Sequence, residues 1–433
     1  MKYLLQSIRI LIPTHVMPEI KSITTLFFEN LLPILKQHAN IHMIWLVYQP
    51  DRINPPQKIS DNVTIEDIHD YDNAIELLQK QKPDLIFASA TRSFVDYAIS
   101  TAAKSMEIPT FSMFWSDWYY IQTNNKIQYA TLNMSRFFQS STLTDTNQSQ
   151  KQPMRRGRFY IYKYLFLLRT QIAIKMNIFK IIGHFFMLLK HNLLDVATDS
   201  RFANTIHFLE DKNLQKSLIE AGFEKSTLIV TGNPIFDKAL QKSLEQKNSL
   251  EKSNKKRILL APSTLYEHGF WNKEQRDFAI KEIVKQIHQK NNKMSLTVKI
   301  HPSTSILSEY VSIINLIDSS IPVYQKGDIQ DYLENIDLVI TFESSTAEVY
   351  AIIARKPIII CNFFQSERDI LVEKGVAIEC MDPSNLLELI EQIPHNSEYD
   401  KKRDNFIKEF LYKADGHASE RICDEILKLL IKT

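Results

Sequence analysis

The chain has 433 residues, comfortable for two domains, and its 44% hydrophobic and 24% charged content is that of a globular protein. A formal net charge of +2 makes no global case for nucleic acid, so any basic partner surface has to be local. The three cysteines (Cys361, Cys380, Cys423) form no C-x-x-C pair, which argues against a zinc site and a disulfide framework and suits a reducing cytoplasm. The eight glycines are too scattered for a G-x-G-x-x-G or Walker loop. A kinase, a P-loop ATPase and an ordinary dinucleotide dehydrogenase are thereby excluded, and a bound phosphate must be held by helix ends and side chains. The opening MKYLLQSIRILIPTH reads as a first strand rather than a cleaved leader. No uncharged run reaches the ~18 residues of a spanning helix.

In chain order, Ile8–Pro13 has the apolar run of a buried strand, and Lys21–Leu35 carries an apolar stripe at helical spacing. Further strands are expected at His42–Tyr48, Asp84–Ala88 and Pro109–Phe114, with helices at Tyr71–Gln81 and Phe94–Met106. This is a βα repeat, which implies a parallel sheet. Its strand ends offer Thr14-His15, Thr91-Arg92 and Ser116-Asp117 to a ligand, because such sheets bind outside the carboxyl ends of their strands. His15 stands in an H-x-x-P spacing with Pro18.

The composition changes between Thr146 and Leu194, where nine Lys or Arg and no Asp or Glu alternate with aromatic and aliphatic residues. A basic amphipathic segment of this kind suits an anionic membrane surface. The plainer alternative is a pair of helices that bury one face and solvate their lysines. A strand is then expected at Asp195–Thr198, a helix at Arg201–Ala221 and a strand at Thr227–Val230, ending in Thr231-Gly232-Asn233-Pro234.

A second βα repeat comes next. Strands are expected at Ile258–Ala261, Leu296–Ile300, Ile321–Tyr324, Leu338–Ile340, Pro357–Cys361 and Val376–Glu379. The intervening helices include Gln275–Lys290, Ile329–Glu334 and Ala347–Ala354, with Leu386–Ile393, Asp400–Lys413 and Ala418–Ile431 closing the chain. The polar residues again fall at strand ends: Ser263-Thr264, His301 and Glu343-Ser344-Ser345-Thr346. A helix starting at Ser344 or Ser345 would aim its free N–H groups and dipole at an anion such as a phosphate. The alternative is that Ser345 and Glu348 form only an S-x-x-E capping box.

TGNPIFD, LLAPST, KIHPS, the run from Asp328 to Glu348 and K-P-I-I-I together resemble the GT-B glycosyltransferase superfamily. Within it they are most similar to bacterial surface-polymer enzymes: capsule glycosyltransferases, CDP-glycerol glycerophosphotransferases and the UDP-GlcNAc 2-epimerase branch. The likeness covers about Asp195–Ile393, while the N-terminal half agrees only in pattern. It implies two doubly wound Rossmann-like domains facing a cleft. An acceptor domain would occupy residues 1–220, with the basic helical insert at 146–194, and a nucleotide-donor domain 221–400; helices in 401–433 would pack back on the first domain.

The resemblance further implies a metal-independent glycosyltransferase that needs no cofactor. It would move a sugar from a nucleotide-sugar donor to a saccharide or lipid-linked acceptor; the cysteine usage, the basic stretch and the net charge add a cytoplasmic place at the inner face of the membrane and no nucleic-acid partner. Asn233, Ser263, Thr264, His301, Ser344, Ser345 and Thr346 match donor nucleotide and phosphate contacts, and Glu348 a ribose-binding carboxylate. His15 resembles the general base of inverting members, and Asp117 would orient it or serve as the base itself. Phe342-Glu343-Ser344-Ser345 replaces the D-S-G-G of the 2-epimerases, whose N-terminal histidine-glutamate motif is missing. A CDP-glycerol-type phosphotransferase shares the H-P and S-S-x-x-E features, and a non-catalytic nucleotide-binding or scaffold protein of the same fold is a third possibility.

Overall fold

The computed structural model of the protein describes residues 5–20, 22–53, 58–60, 62–88, 93–116, 156–194, 200, 204–245, 254–302, 305–343, 345–365, 369–393 and 397–431. They form two compact units, one reaching Thr231 and taking in the chain from Ser419 onward, the other built chiefly from Gly232–Ala418.

In the first unit the order is β1 (Leu5–Thr14), α1 (Ile23–Leu35), β2 (Ala39–Val47), β3 (Lys58–Ser60), β4 (Val63–Asp67), α2 (Ala74–Gln81), β5 (Leu85–Phe87), α3 (Phe94–Ser105) and β6 (Thr110–Phe114). After a gap in the described residues come α4 (Arg156–Ala173), α5 (Ile178–Leu194), β7 (Ile206–Leu209), α6 (Lys212–Glu220) and β8 (Leu228–Val230). The sheet runs β3-β4-β2-β1-β5-β6-β7-β8. Its pairings are parallel except β3 with β4. A parallel sheet is covered on both faces, so the centres of its strands are largely apolar; Ile10, Leu11 and Ile12 are all fully buried. Helix α1 is started by a capping box in which Ser22 and Thr25 bond each other's backbone, and its Phe27 and Phe28 pack against Phe87.

The second unit contains α7 (Asp237–Glu245), β9 (Lys256–Ala261), α8 (Lys273–His288), β10 (Met294–Lys299), α9 (Leu307–Asn315), β11 (Val323–Tyr324), α10 (Ile329–Leu333) and β12 (Leu338–Thr341). It continues with α11 (Thr346–Ile353), β13 (Ile358–Cys361), α12 (Ile370–Glu373), β14 (Ile378–Cys380), α13 (Leu386–Glu391) and α14 (Ser397–Phe410). Its sheet is parallel throughout, in the order β11-β10-β9-β12-β13-β14. The last helix, α15 (Ala418–Ile431), belongs to the first unit except for Ala418. The turn leading into it needs Gly416, whose φ is +71° and whose missing Cβ would lie 2.5 Å from Gln241 Cγ. Among the described residues, no helix is long and apolar enough to cross a membrane.

Three expectations change. The helix expected over Arg201–Ala221 is, in its described part, the strand β7 followed by the shorter α6, and the first unit runs past residue 220 because β8 pairs with β7. Strands β3 and β4 were not anticipated. The strand expected at Asp195–Thr198 lies outside the described residues.

The β7 error has a physical cause in His207. This residue is fully buried between the rings of Phe114 and Phe223, with centroids 5.1 and 5.4 Å away. Its Nε2 accepts from the Asn204 N–H at 3.0 Å, so Nδ1 carries the proton and faces Ser112 Oγ at 2.7 Å. Burial pushes its pKa down to about 4. Below about pH 6.5 the unfolded chain binds a proton that the native state refuses, so stability falls as pH drops from 6.5 toward 4. Over that window the loss from His207 is about 3 kcal/mol. Chemical denaturation of His207→Gln across the window is expected to show a flatter pH dependence than the parent; equal slopes would contradict this.

Candidate functional site

In the second unit the strand order reverses between β9 and β12, and β10 lies on the other side of β9. Ligands of such sheets sit at this switch point, beyond the carboxyl ends of the strands. The register aligns Val298, Leu260 and Ile340 across the three strands, so the loops leaving them emerge at one end of the sheet. Ser263 and Thr264 come after β9, His301 after β10, and Glu343, Ser345 and Thr346 after β12. Ser263 Oγ lies 3.4 Å from Thr341 Oγ1 at the switch itself. Ser344 lies outside the described residues.

The S-x-x-E sequence forms the capping box. Ser345 Oγ accepts from the Ala347 N–H at 3.2 Å, while the Ser345 N–H donates to Glu348 Oε2 at 3.3 Å. An anion at this helix end would therefore compete with Ser345 for the Ala347 N–H. Glu348 is fully buried, and its carboxyl is pushed well above the usual range by that burial and by the charges of Asp369 and Glu343. Asn233 is likewise buried and occupied locally, its Oδ1 accepting from the Ile235 N–H at 3.1 Å.

His301 is half-buried, and its pKa falls to about 4 through burial first and then the charges of His268 and Lys299. It is therefore a neutral imidazole near pH 7. Lys299 is buried and donates to the Ile300 and Gln325 carbonyls, each at 2.9 Å. The loop after β9 is braced by Glu267, whose Oε1 accepts from Ser305 Oγ (2.7 Å) and Tyr310 OH (2.8 Å). Trp271 packs on Phe342 and Phe364, with centroids 4.8 and 5.1 Å apart.

The first unit reverses its strand order at β1, which lies between β2 and β5. His15 directly follows β1, and its ring lies 6.2 Å from that of Tyr48, just beyond β2. Tyr48 OH donates to Asp96 Oδ2 at 3.3 Å in the first turn of α3. His15 is open to solvent yet flanked by protein, and its pKa is lowered by that desolvation first and by the Lys163 charge second. Asp117 and the Thr91-Arg92 pair lie outside the described residues.

Lys163 is the residue that sequence reasoning missed. It comes from α4, in the basic stretch, yet its ammonium sits over the rings of Phe159 (5.0 Å) and Tyr160 (4.3 Å) rather than in water. Burial lowers its pKa to about 8, against the opposing pull of Asp96. Its helical position carried the signal. It stands four residues after Phe159, three before Phe166 and four before Leu167, all buried, so it falls on the inward stripe.

Two parallel-sheet Rossmann-like units of this kind define the GT-B class of fold. The UDP-GlcNAc 2-epimerase from Neisseria meningitidis, solved with UDP-GlcNAc, superposes with a TM-score of 0.51 at 15% identity, covering 98% of this chain and 100% of its own. The S. aureus MnaA–UDP structure gives 0.52 at 16% identity, with 98% and 97% covered. The wall teichoic acid polymerase TagF gives 0.53 at 12% identity, with 98% and 89% covered. No curated sequence matches the chain. The family profile described as UDP-N-acetylglucosamine 2-epimerase matches residues 201–427, just over half of the chain, and the protein belongs to that family.

The link between Lys163 and His15 is testable. Replacing Lys163 with Met removes a positive charge that disfavours the imidazolium, so the His15 pKa is expected to rise part of the way back toward 6.5. An NMR titration of the His15 ring protons reads this directly, and an unchanged midpoint would remove Lys163 from the site.

Proposed function

We propose that the protein is a metal-independent glycosyltransferase that takes a sugar from a nucleoside-diphosphate donor and passes it to a saccharide or lipid-linked hydroxyl. The observation that carries this reading is His15: an uncharged imidazole after the switch strand β1, with Lys163 opposing its protonation. Such a group accepts a proton near pH 7 without further tuning. In the reaction the acceptor oxygen attacks C1 of the sugar, its proton passes to His15, and the bond from C1 to the diphosphate oxygen breaks. The nucleoside diphosphate leaves with the electron pair. Asp117 remains the candidate to orient the base.

The donor falls to the second unit. His301 and the Ser263, Thr264, Ser344 and Thr346 hydroxyls would receive the diphosphate at the end of its sheet. Ser345 and Asn233, both engaged in caps, would contribute mainly by holding backbone in place. Glu348, buried and favouring its protonated form, would serve the donor by holding the Ser345 N–H rather than by reaching a ribose hydroxyl. UDP is the nucleotide to try first, since the family carries it in its description. A lipid-linked acceptor would place the protein peripherally at the inner face of a membrane.

Family membership favours a second reading, epimerisation of the donor at C2. The two separate cleanly. Incubated with UDP-GlcNAc and acceptor, a transferase releases UDP in step with acceptor consumption, whereas an epimerase converts UDP-GlcNAc to its 2-epimer with no acceptor present. NMR of the sugar nucleotide distinguishes them, and a 2-epimer formed without acceptor would overturn the transferase. CDP-glycerol as donor tests the phosphotransferase alternative in the same assay.

His15→Ala is expected to reduce turnover by about 10²–10⁴-fold, the usual share of a positioned base, and to leave UDP affinity unchanged. Lost UDP binding with normal turnover would instead assign His15 to the nucleotide. His301 gives a separate signature. A diphosphate beside its neutral ring raises its pKa, so binding takes up protons and UDP affinity should rise between about pH 7 and about pH 5. Calorimetry in buffers of different ionisation heat measures that uptake, which His301→Asn should abolish; uptake that persists in the variant would remove His301 from the diphosphate.

A further inference from the structure

Helices α4 and α5 are apolar on two sides. Their inward residues Phe166, Leu167, Met187 and Leu188 are buried in the core of the first unit. On α5, however, Ile178, Phe179, Ile182, Phe186 and Leu189 remain exposed, with Phe179 and Phe186 at 79% and 63%. The spacing of these residues, at 100° per residue, puts all five within about a 100° arc. Ile161, Leu165 and Ile172 are the exposed apolar residues of α4. A helix that is apolar all round is normally buried all round, and contiguous exposed apolar surface marks a contact with something else.

Charge decides what the partner is. Lys175, Lys180 and Lys190 are exposed beside these residues, and the stretch 156–194 contains no Asp or Glu. A second copy of the chain bringing up the same surface would set basic residues against basic residues. Nucleic acid would satisfy the lysines but would leave the isoleucines and phenylalanines without an apolar partner. An anionic bilayer satisfies both, because acyl chains take the apolar side chains and headgroups take the lysines.

We propose that α5, flanked by α4, is a membrane-docking wedge that inserts Phe179, Ile182 and Phe186 into an anionic lipid surface. This rests on the peripheral placement proposed above and names its lipid partner and contact residues. It does not depend on which reaction the protein carries out, so a vesicle experiment can fail without touching the transferase reading, and an activity assay can fail without touching the wedge.

The experiment is sedimentation of the full chain with sucrose-loaded vesicles, either neutral phosphatidylcholine or the same lipid with about 30% phosphatidylglycerol. Binding is expected to the anionic vesicles, falling steeply between about 0.1 and about 0.5 M salt as the charges are screened. Phe179→Ser and Phe186→Ser should each cut partitioning about tenfold, since each removes one buried aromatic side chain from the contact. Lys180→Gln with Lys190→Gln should weaken binding to anionic vesicles alone. The substituted side chains are exposed, and circular dichroism checks that the variants fold. Equal binding to neutral vesicles, or phenylalanine variants that bind like the parent, would overturn the proposal. So would an absence of vesicle binding with a dimer that the phenylalanine variants dissociate, or an RNA complex formed in its place.

Discussion

The requirement that parallel strands be covered on both faces governs the rest of the molecule. A strand buried on both sides has no place for a charge, so Ile258–Leu260, Leu338–Ile340 and Ile358–Ile360 are aliphatic without interruption. Most polar groups fall at the strand ends and in the loops after them, with His207 in β7 and Ser112 in β6 among the exceptions. Crossover connections then return every strand but β3 in the same direction, so those groups gather at one end of each sheet. His15 in one unit, and Ser263, Thr264 and His301 in the other, owe their positions to this exclusion. Chemistry accumulates where the core cannot use polar atoms.

The same exclusion sets the charge state of the groups that gather there. His301 and Lys163 sit at the margin of the core, where solvent no longer stabilises an ion fully, and their pKa values fall to about 4 and about 8. His15 is more open and moves less far in the same direction, with Lys163 adding to the effect of desolvation. A sheet end thus supplies neutral imidazoles at neutral pH through desolvation first. The exception is Glu348, where burial favours the protonated carboxyl and the capping bond from Ser345 opposes it.

Most of the sheet strands were legible in the sequence because buried parallel strands are short aliphatic runs, and the candidate site residues stand out because they come directly after such runs. The misread segments lacked that contrast. Strand β7, Ile206–Leu209, contains a histidine and stands next to charged residues, so its period reads as helical. Only the aromatic sandwich around His207 and the Asn204 bond show why a histidine belongs in a strand there. Strand β4, Val63–Asp67, alternates apolar and polar residues and ends in a buried Asp67 that caps the next turn, which reads as loop chemistry. Lys163 was hidden by its company. Among the Lys and Arg side chains described there, Lys163 alone is not exposed, and register rather than composition distinguishes it.

The departure from D-S-G-G bears on how a family member can differ in reaction from its relatives. Glycines at a helix start let a phosphate approach the backbone N–H groups closely. Here Ser345 takes that position with an ordinary extended backbone, φ −143°, so glycine's freedom is not needed. Its hydroxyl occupies the Ala347 N–H that a phosphate would otherwise use. Under the proposed donor placement, a diphosphate would draw less on the helix end and more on His301 and the hydroxyls after β9. An epimerase has to keep the departed nucleotide in place for the return step, which a close-fitting helix end serves well. A transferase only needs to let it go. On the transferase reading proposed above, a serine cap in place of glycine leaves the helix end less open to the departing diphosphate, as a reaction that releases its nucleotide requires.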